Sequence, residues 1–139
     1  MRYLLDTNVC IEILRGRDAV LKARLATQSL QKLALCSVVW AELHFGARLA
    51  KNPAHEYARL RHAFGHWPRL PFDDTAAEAY GDIRAYLQRA GRMIGANDLL
   101  IAAIAQSREL ILVTHNTSEF SRVPNLSIED WQIDLDASR

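Results

Sequence analysis

The sequence predicts an α/β fold in which a parallel sheet is covered by helices on both faces. Two observations point there. Short apolar runs of strand length alternate with longer stretches at helical spacing. The runs are apolar throughout, as strands buried on both faces must be.

The elements follow in order. Tyr3-Leu4-Leu5 reads as the first buried strand. Thr7 or Asn8 is expected to cap a helix through Cys10, Ile11, Ile13 and Leu14 that ends near Gly16. A second helix is expected from Asp18, with Val20, Leu21, Leu25 and Leu30 near helical spacing. Leu33-Ala34-Leu35-Cys36 is the next strand, and Ser37 is the expected cap of a helix through Val38, Ala41, Leu43, Phe45 and Leu49. Asn52-Pro53 breaks that helix, and Pro53 suits the first turn of the next, which carries Tyr57, Leu60 and Phe64. Pro71 in Arg69-Leu70-Pro71-Phe72 argues for an edge strand or a strand end. A long helix then starts at Asp73-Asp74-Thr75, with Thr75 and Glu78 at capping-box spacing, and runs to Gly91. Another apolar helix starts at Asp98 and ends near Leu110. Ile111-Leu112-Val113 is a further strand, and Leu126-Ser127-Ile128 one more.

A chain of 139 residues suits one domain, 1–139, large enough for a real core. The formal net charge of +1 points by itself to neither nucleic acid nor membrane. The 17 basic residues are nonetheless nearly all arginine, with lysine only at Lys22, Lys32 and Lys51. The planar fork of arginine suits phosphate, although a GC-rich genome produces the same bias. Cys10 and Cys36 lie in apolar runs and read as buried thiols rather than a disulfide framework or zinc site. Asp6 interrupts the first apolar run too early for a signal peptide, and no stretch has the length of a membrane span. The cytoplasm is the expected location.

Three acids stand at the edges of apolar runs: Asp6 after the first strand, Glu42 on the helix after the second, and Asp98 opening a later helix. Burying a carboxylate among Leu, Val and Ile is costly unless it is paired or binds a cation. In parallel sheets ligands bind beyond the carboxyl ends of the strands, which is where Asp6, Glu42 and Asn116 are expected. Hard divalent cations such as Mg2+ or Mn2+ prefer oxygen ligands and retain waters, so two or three carboxylates suffice. Asp6 and Asp98 are the expected principal ligands. Glu42 would bind directly, through water, or act as a base, and Asn116 and Glu119 would complete the shell. Each residue also has a plainer reading. Asp6 and Asp98 fit as helix caps, Glu42 as an exposed helix residue, and Glu119 as a solvated loop residue. Arg15, Arg17, Arg48, Lys51, Arg89 and Arg92 either rim the site against phosphate repulsion or are solvated helix surface. His115, beside Asn116, is a candidate substrate contact.

Four motifs carry a resemblance: Leu4-Leu5-Asp6-Thr7-Asn8, Glu42-Leu43-x-x-Gly46-Ala47, Ile94-Gly95-x-x-Asp98-x-x-Ile101-Ala102, and Leu112-Val113-Thr114-x-Asn116-x-x-Glu119-Phe120. Together with the ending Arg122-Val123-Pro124-x-Leu126-x-Ile128-Glu129-Asp130-Trp131, they resemble the PIN-domain ribonucleases, in particular the VapC-type toxins of bacterial toxin–antitoxin pairs. The resemblance implies a three-layer α/β/α sandwich and cleavage of RNA phosphodiester bonds that depends on Mg2+ or Mn2+. It implies that Asp6, Glu42 and Asp98 are the catalytic acids and that Glu119 joins them at the metal. Asn116 stands where many members carry a fourth acid, and it is assigned with Arg92 to the substrate. The resemblance also implies a homodimer, a cognate antitoxin that covers the acidic groove, and transfer RNA as the preferred substrate. Two rivals remain at this stage. One is a catalytically silent RNA- or partner-binding domain of the same fold. The other is a phosphohydrolase with Asp6 as nucleophile, against which Asn8 stands where a second Asp would be needed.

Overall fold

The computed structural model describes residues 1–134. Its centre is a five-stranded, all-parallel sheet in the order β3-β2-β1-β4-β5. The strands are β1 (Tyr3–Leu5), β2 (Leu33–Cys36), β3 (Arg69–Leu70), β4 (Ile111–Val113) and β5 (Ile128–Glu129). The helices are α1 (Thr7–Arg15), α2 (Ala19–Ala26), α3 (Ser37–Arg48), α4 (Pro53–Phe64), α5 (Asp74–Ala90), α6 (Ala96–Ser107) and the single turn α7 (Thr117–Phe120). The architecture is the α/β/α sandwich. Helices α1, α3 and α4 pack together, α5 packs on α6, and α3 also meets α6.

Burial explains the strand sequences. Every residue of β1 and β2 is buried, as are Leu112 and Val113 of β4, because these strands have neighbours on both sides and helices above and below. The two-residue β3 lies at the edge, where Pro71 ends it without breaking a ladder. Among the interior aromatics, Trp131 is fully buried and meets Tyr3 edge-on at 5.0 Å. Its indole N–H donates to Glu129 Oε1 at 3.0 Å, which satisfies the polar end of an otherwise apolar side chain.

Several expected helix ends are held differently. The cap of α1 is Asp6, not Thr7 or Asn8: Asp6 Oδ1 accepts from Val9 N–H at 2.9 Å. Cys36 stands at the cap of α3 with no side-chain bond, and Ser37 is already inside the helix. Asp73, not the Thr75–Glu78 pair, caps α5, its Oδ1 accepting from Ala76 N–H at 3.0 Å. A carboxylate at the first non-helical position outcompetes a hydroxyl further in, because its oxygen reaches a free N–H two or three residues on. Helix α2 ends at Ala26, so Leu30 does not join its apolar face and is 65% exposed in a short 3-10 turn. The last strand starts at Ile128 rather than Leu126. Gly16 and Gly91 end α1 and α5 in the left-handed conformation, as their positions in the sequence suggest.

Because all strands are parallel, β1, β2 and β4 release their following loops at one edge. Helix α6 runs directly into β4, so its N-terminal turn lies at that same edge. No helix among the described residues is long and apolar enough to cross a membrane.

Candidate active site

Asp6 leaves β1 at the sheet centre, where its backbone N–H still donates to Val113 O at 3.1 Å. Its side chain is only 4% exposed. Burial pushes its carboxyl above the ordinary range, opposed by hydrogen bonds from the Thr114 side chain and Val9 N–H; the charges of Glu42 and Asp130 add to the rise. Asp6 is therefore cap and site residue together, since one oxygen caps α1 while its charge is felt among the other acids.

Glu42 lies in the middle of α3, and Thr7 reaches across from α1 to donate a 2.6 Å hydrogen bond to its Oε1. Asp98 stands in the first turn of α6. Gly95 precedes that helix, which has no side-chain cap bond, so Asp98 does not serve as its cap. Its carboxyl is pushed up to about 7, first by loss of water, then by the hydrogen-bonded Glu119 and the like charges of Glu119, Glu42 and Asp6.

Glu119 reaches back from α7. Its Oε1 accepts from Gly95 N–H at 2.7 Å and its Oε2 from the Asn116 side-chain amide. Partial burial raises its carboxyl, but the hydrogen bonds from Gly95, Asp98 and Asn116, with the positive charge of Arg122, outweigh this and hold it below the ordinary range. Gly95 fits between Asp98 and Glu119 with no room to spare: a Cβ there would lie 3.3 Å from Asp98 Oδ2 and 3.6 Å from Glu119 Oε1.

Asp6, Glu42, Asp98 and Glu119 are thus electrostatic neighbours contributed by four separate segments. Asn116 belongs to the same edge but is bonded to Glu119, while Arg92 is an exposed residue of the loop before α6. Arg15 is engaged by Glu12 at 2.8 Å, and Arg17, Arg48, Lys51 and Arg89 are exposed. The residues that hold the acids were not assigned this role from the sequence. Thr7 and Thr114 each directly follow or nearly follow a strand inside a quoted motif, and that placement was the available signal.

The donor chemistry fits a hard cation. Asp6, Glu42, Asp98 and Glu119 offer carboxylate oxygens, the donors such a cation prefers, and the Asp98 carboxyl is pushed up first by burial and then by its acidic neighbours. No three His, Cys, Asp or Glu side chains among the described residues close around a single point. Glu42 is drawn to Thr7 and Glu119 to Gly95 and Asn116, so these two carboxylates are held by the protein's own donors.

The fold and this acidic edge define a PIN domain, and the chain belongs to the PIN domain family, which it matches over residues 3–126. It is 38% identical over 131 residues to the tRNA(fMet)-specific endonuclease VapC of Shigella flexneri, covering 94% of this chain and 98% of that one. It is similar to the structure of DNA-bound VapBC from Salmonella typhimurium, with TM-score 0.89 and 34% identity over 94% of this chain and 98% of that one. The VapBC2 structure from Rickettsia felis, bound to a DNA fragment from its promoter, gives TM-score 0.87 and 32% identity over 94% of this chain and 99% of that one.

Proposed function

We propose that this protein is an endoribonuclease of the VapC type, dependent on Mg2+ or Mn2+, that acts as the toxin of a toxin–antitoxin pair in the cytoplasm. The observation that carries the reading is the gathering of Asp6, Glu42, Asp98 and Glu119 at one sheet edge, where Asp98 feels the charges of the other three. Full-length similarity to ribonucleases supports it.

Asp6 and Asp98 are the principal candidates to hold the ion, with Glu42 and Glu119 beside them. When bound, a divalent cation neutralises charge on the phosphate under attack and lowers the pKa of water. The chain's own residues prepare the rest. Thr7 aims Glu42, Thr114 and Val9 fix Asp6, and Gly95 with Asn116 fix Glu119. A carboxylate of this set accepts the proton of the attacking water. Arg92 and Asn116 are assigned to the RNA, and transfer RNA is the proposed class because the Shigella flexneri relative is specific for one.

The proposed antitoxin has a place to dock. A cavity of about 220 Å³ has an apolar floor that includes Ile11, Leu14, Leu43 and Leu60 and a charged rim of Arg15, Glu42, Glu56 and Arg59, so a segment seated there would reach Glu42 of the acidic edge. A homodimer completes the proposal, supported by Phe45 in the last turn of α3 and Leu49 at its C-terminal cap, which are 64% and 71% exposed.

The test is cleavage of purified total RNA by antitoxin-free protein, comparing wild type with Asp98→Asn, with added Mg2+ or Mn2+ and with excess chelator. Discrete products that require both the metal and Asp98 are expected. Intact RNA with a folded, metal-loaded wild type would replace the nuclease with a binding domain.

A further inference from the structure

We propose that His115 contacts the sugar–phosphate backbone of the RNA, and that Asp130 is the residue that positions it. This rests on the nuclease reading for its substrate and adds a contact at the rim of the same site.

The two residues come from loops that follow adjacent strands. Thr114 N–H donates to Glu129 O at 3.0 Å, which fixes residues 114–115 against 129–130 at the end of the β4–β5 ladder. His115 Nδ1 lies 2.9 Å from Asp130 Oδ2, and Asp130 Oδ1 accepts from Gln132 N–H at 2.9 Å. Both oxygens of Asp130 are thus engaged, and its side chain is only 8% exposed. An ionised carboxylate is an acceptor only, so Nδ1 carries the hydrogen and donates it. The ring is then held in one orientation while remaining 60% exposed, with Nε2 on the side away from Asp130.

The location gives that nitrogen a use. Thr114, immediately before His115, is fully buried and its side chain bonds to Asp6, and the charge of Asp130 is itself felt at Asp6. The imidazole therefore stands beside the acidic edge, tethered to a carboxylate whose charge reaches Asp6. An oriented, solvent-facing ring nitrogen there offers a hydrogen bond to the backbone of the strand lying over the acids. In the neutral ring it accepts from a ribose 2′-hydroxyl, the group that distinguishes RNA from DNA; when the ring carries a second proton it donates to a phosphate oxygen.

The experiment measures binding of a short fluorescent RNA, and of DNA of the same sequence, to antitoxin-free protein with chelator present. His115→Ala, Asp130→Ala and the double variant are compared, alongside KM and kcat for RNA cleavage with metal. His115→Ala is expected to weaken RNA binding about tenfold and to raise KM with little change in kcat. Asp130→Ala should cause a similar loss, and none beyond it when His115 is already alanine, whatever it does to stability. Loss on RNA alone assigns the 2′-hydroxyl; equal loss on DNA assigns the phosphate. RNA binding by His115→Ala within about twofold of wild type would overturn the contact. A further full loss from Asp130→Ala in the double variant would overturn the positioning role. If wild type binds RNA through His115 yet cleaves nothing, the nuclease reading fails while this contact stands.

Discussion

Thr7 Oγ1 and Glu42 Oε1 are 2.6 Å apart although 35 residues separate them, which makes the hydroxyl of α1 the anchor for the central acid of α3. Among the hydrogen bonds of the described residues this is the one that holds the Glu42 side chain. Thr7→Val keeps the shape and removes the donor. A hydrogen bond to a charged group contributes about 1.5–3 kcal/mol to folding, so the melting temperature should fall by several degrees, and RNA cleavage of the folded variant should fall by about tenfold or more as Glu42 loses its orientation. Unchanged cleavage would mean that Glu42 finds its position without Thr7.

The Asp98 carboxyl, pushed up to about 7 from its ordinary 3.8, makes the metal-free protein sensitive to pH. The folded state holds this proton more tightly than the unfolded chain does. Its contribution to stability is therefore fully present below about pH 4 and is lost as pH rises through about 7. Urea unfolding of metal-free wild type and Asp98→Asn across pH 4.5 to about 8 should give diverging curves, with wild type losing ground at the high end. Added Mg2+ should close the gap by binding the ionised form. Parallel curves would show that the proton is not held at Asp98.

At Gly95 the prediction is steric. An added methyl would meet Asp98 Oδ2 at 3.3 Å and Glu119 Oε1 at 3.6 Å, while the backbone φ of −58° suits alanine well. Gly95→Ala should therefore fold normally, push the Asp98 carboxylate aside by a few tenths of an ångström and lower cleavage. Circular dichroism with a cleavage assay separates the two; a fully active variant would show that the pair tolerates the shift.

The two thiols should be silent in the native protein. Burial drives Cys10 well above its ordinary range, and Cys36 to about 11 by the same cause, so neither forms thiolate at neutral pH. A chromogenic disulfide reagent should titrate no thiol until denaturant is added, and then two. Rapid reaction without denaturant would reveal an opening of the β1–β2 region.

The sequence was most legible where burial on both faces left no choice. Tyr3–Leu5, Leu33–Cys36 and Ile111–Val113 are strands of the expected limits, since these apolar runs are too short for a helix and are bounded by turn signals. It was least legible at helix ends. Asp6, Asp73 and Cys36 took cap positions assigned to Thr7 or Asn8, Thr75 and Ser37, because several neighbouring polar residues can each cap and local backbone geometry selects among them. At the site, the acids were visible as carboxylates in apolar surroundings. Their supports were not: Thr7 reaches Glu42, Gly95 reaches Glu119, and Asp130 reaches His115 across sequence gaps that no local pattern encodes.

Strand order has a consequence in time. Strand β1 lies between β2 and β4, and Asp6 is tied to Val113, more than a hundred positions later in the chain. A chain still being synthesised can pair β1 with β2 early, but it lacks Asp98, Glu119 and the strand that seats Asp6 until nearly all of the sequence has emerged. Unfinished copies therefore carry no assembled acidic edge. For a protein whose proposed activity destroys the RNA used in its own manufacture, this ordering keeps the ribosome's product harmless until the last strands close.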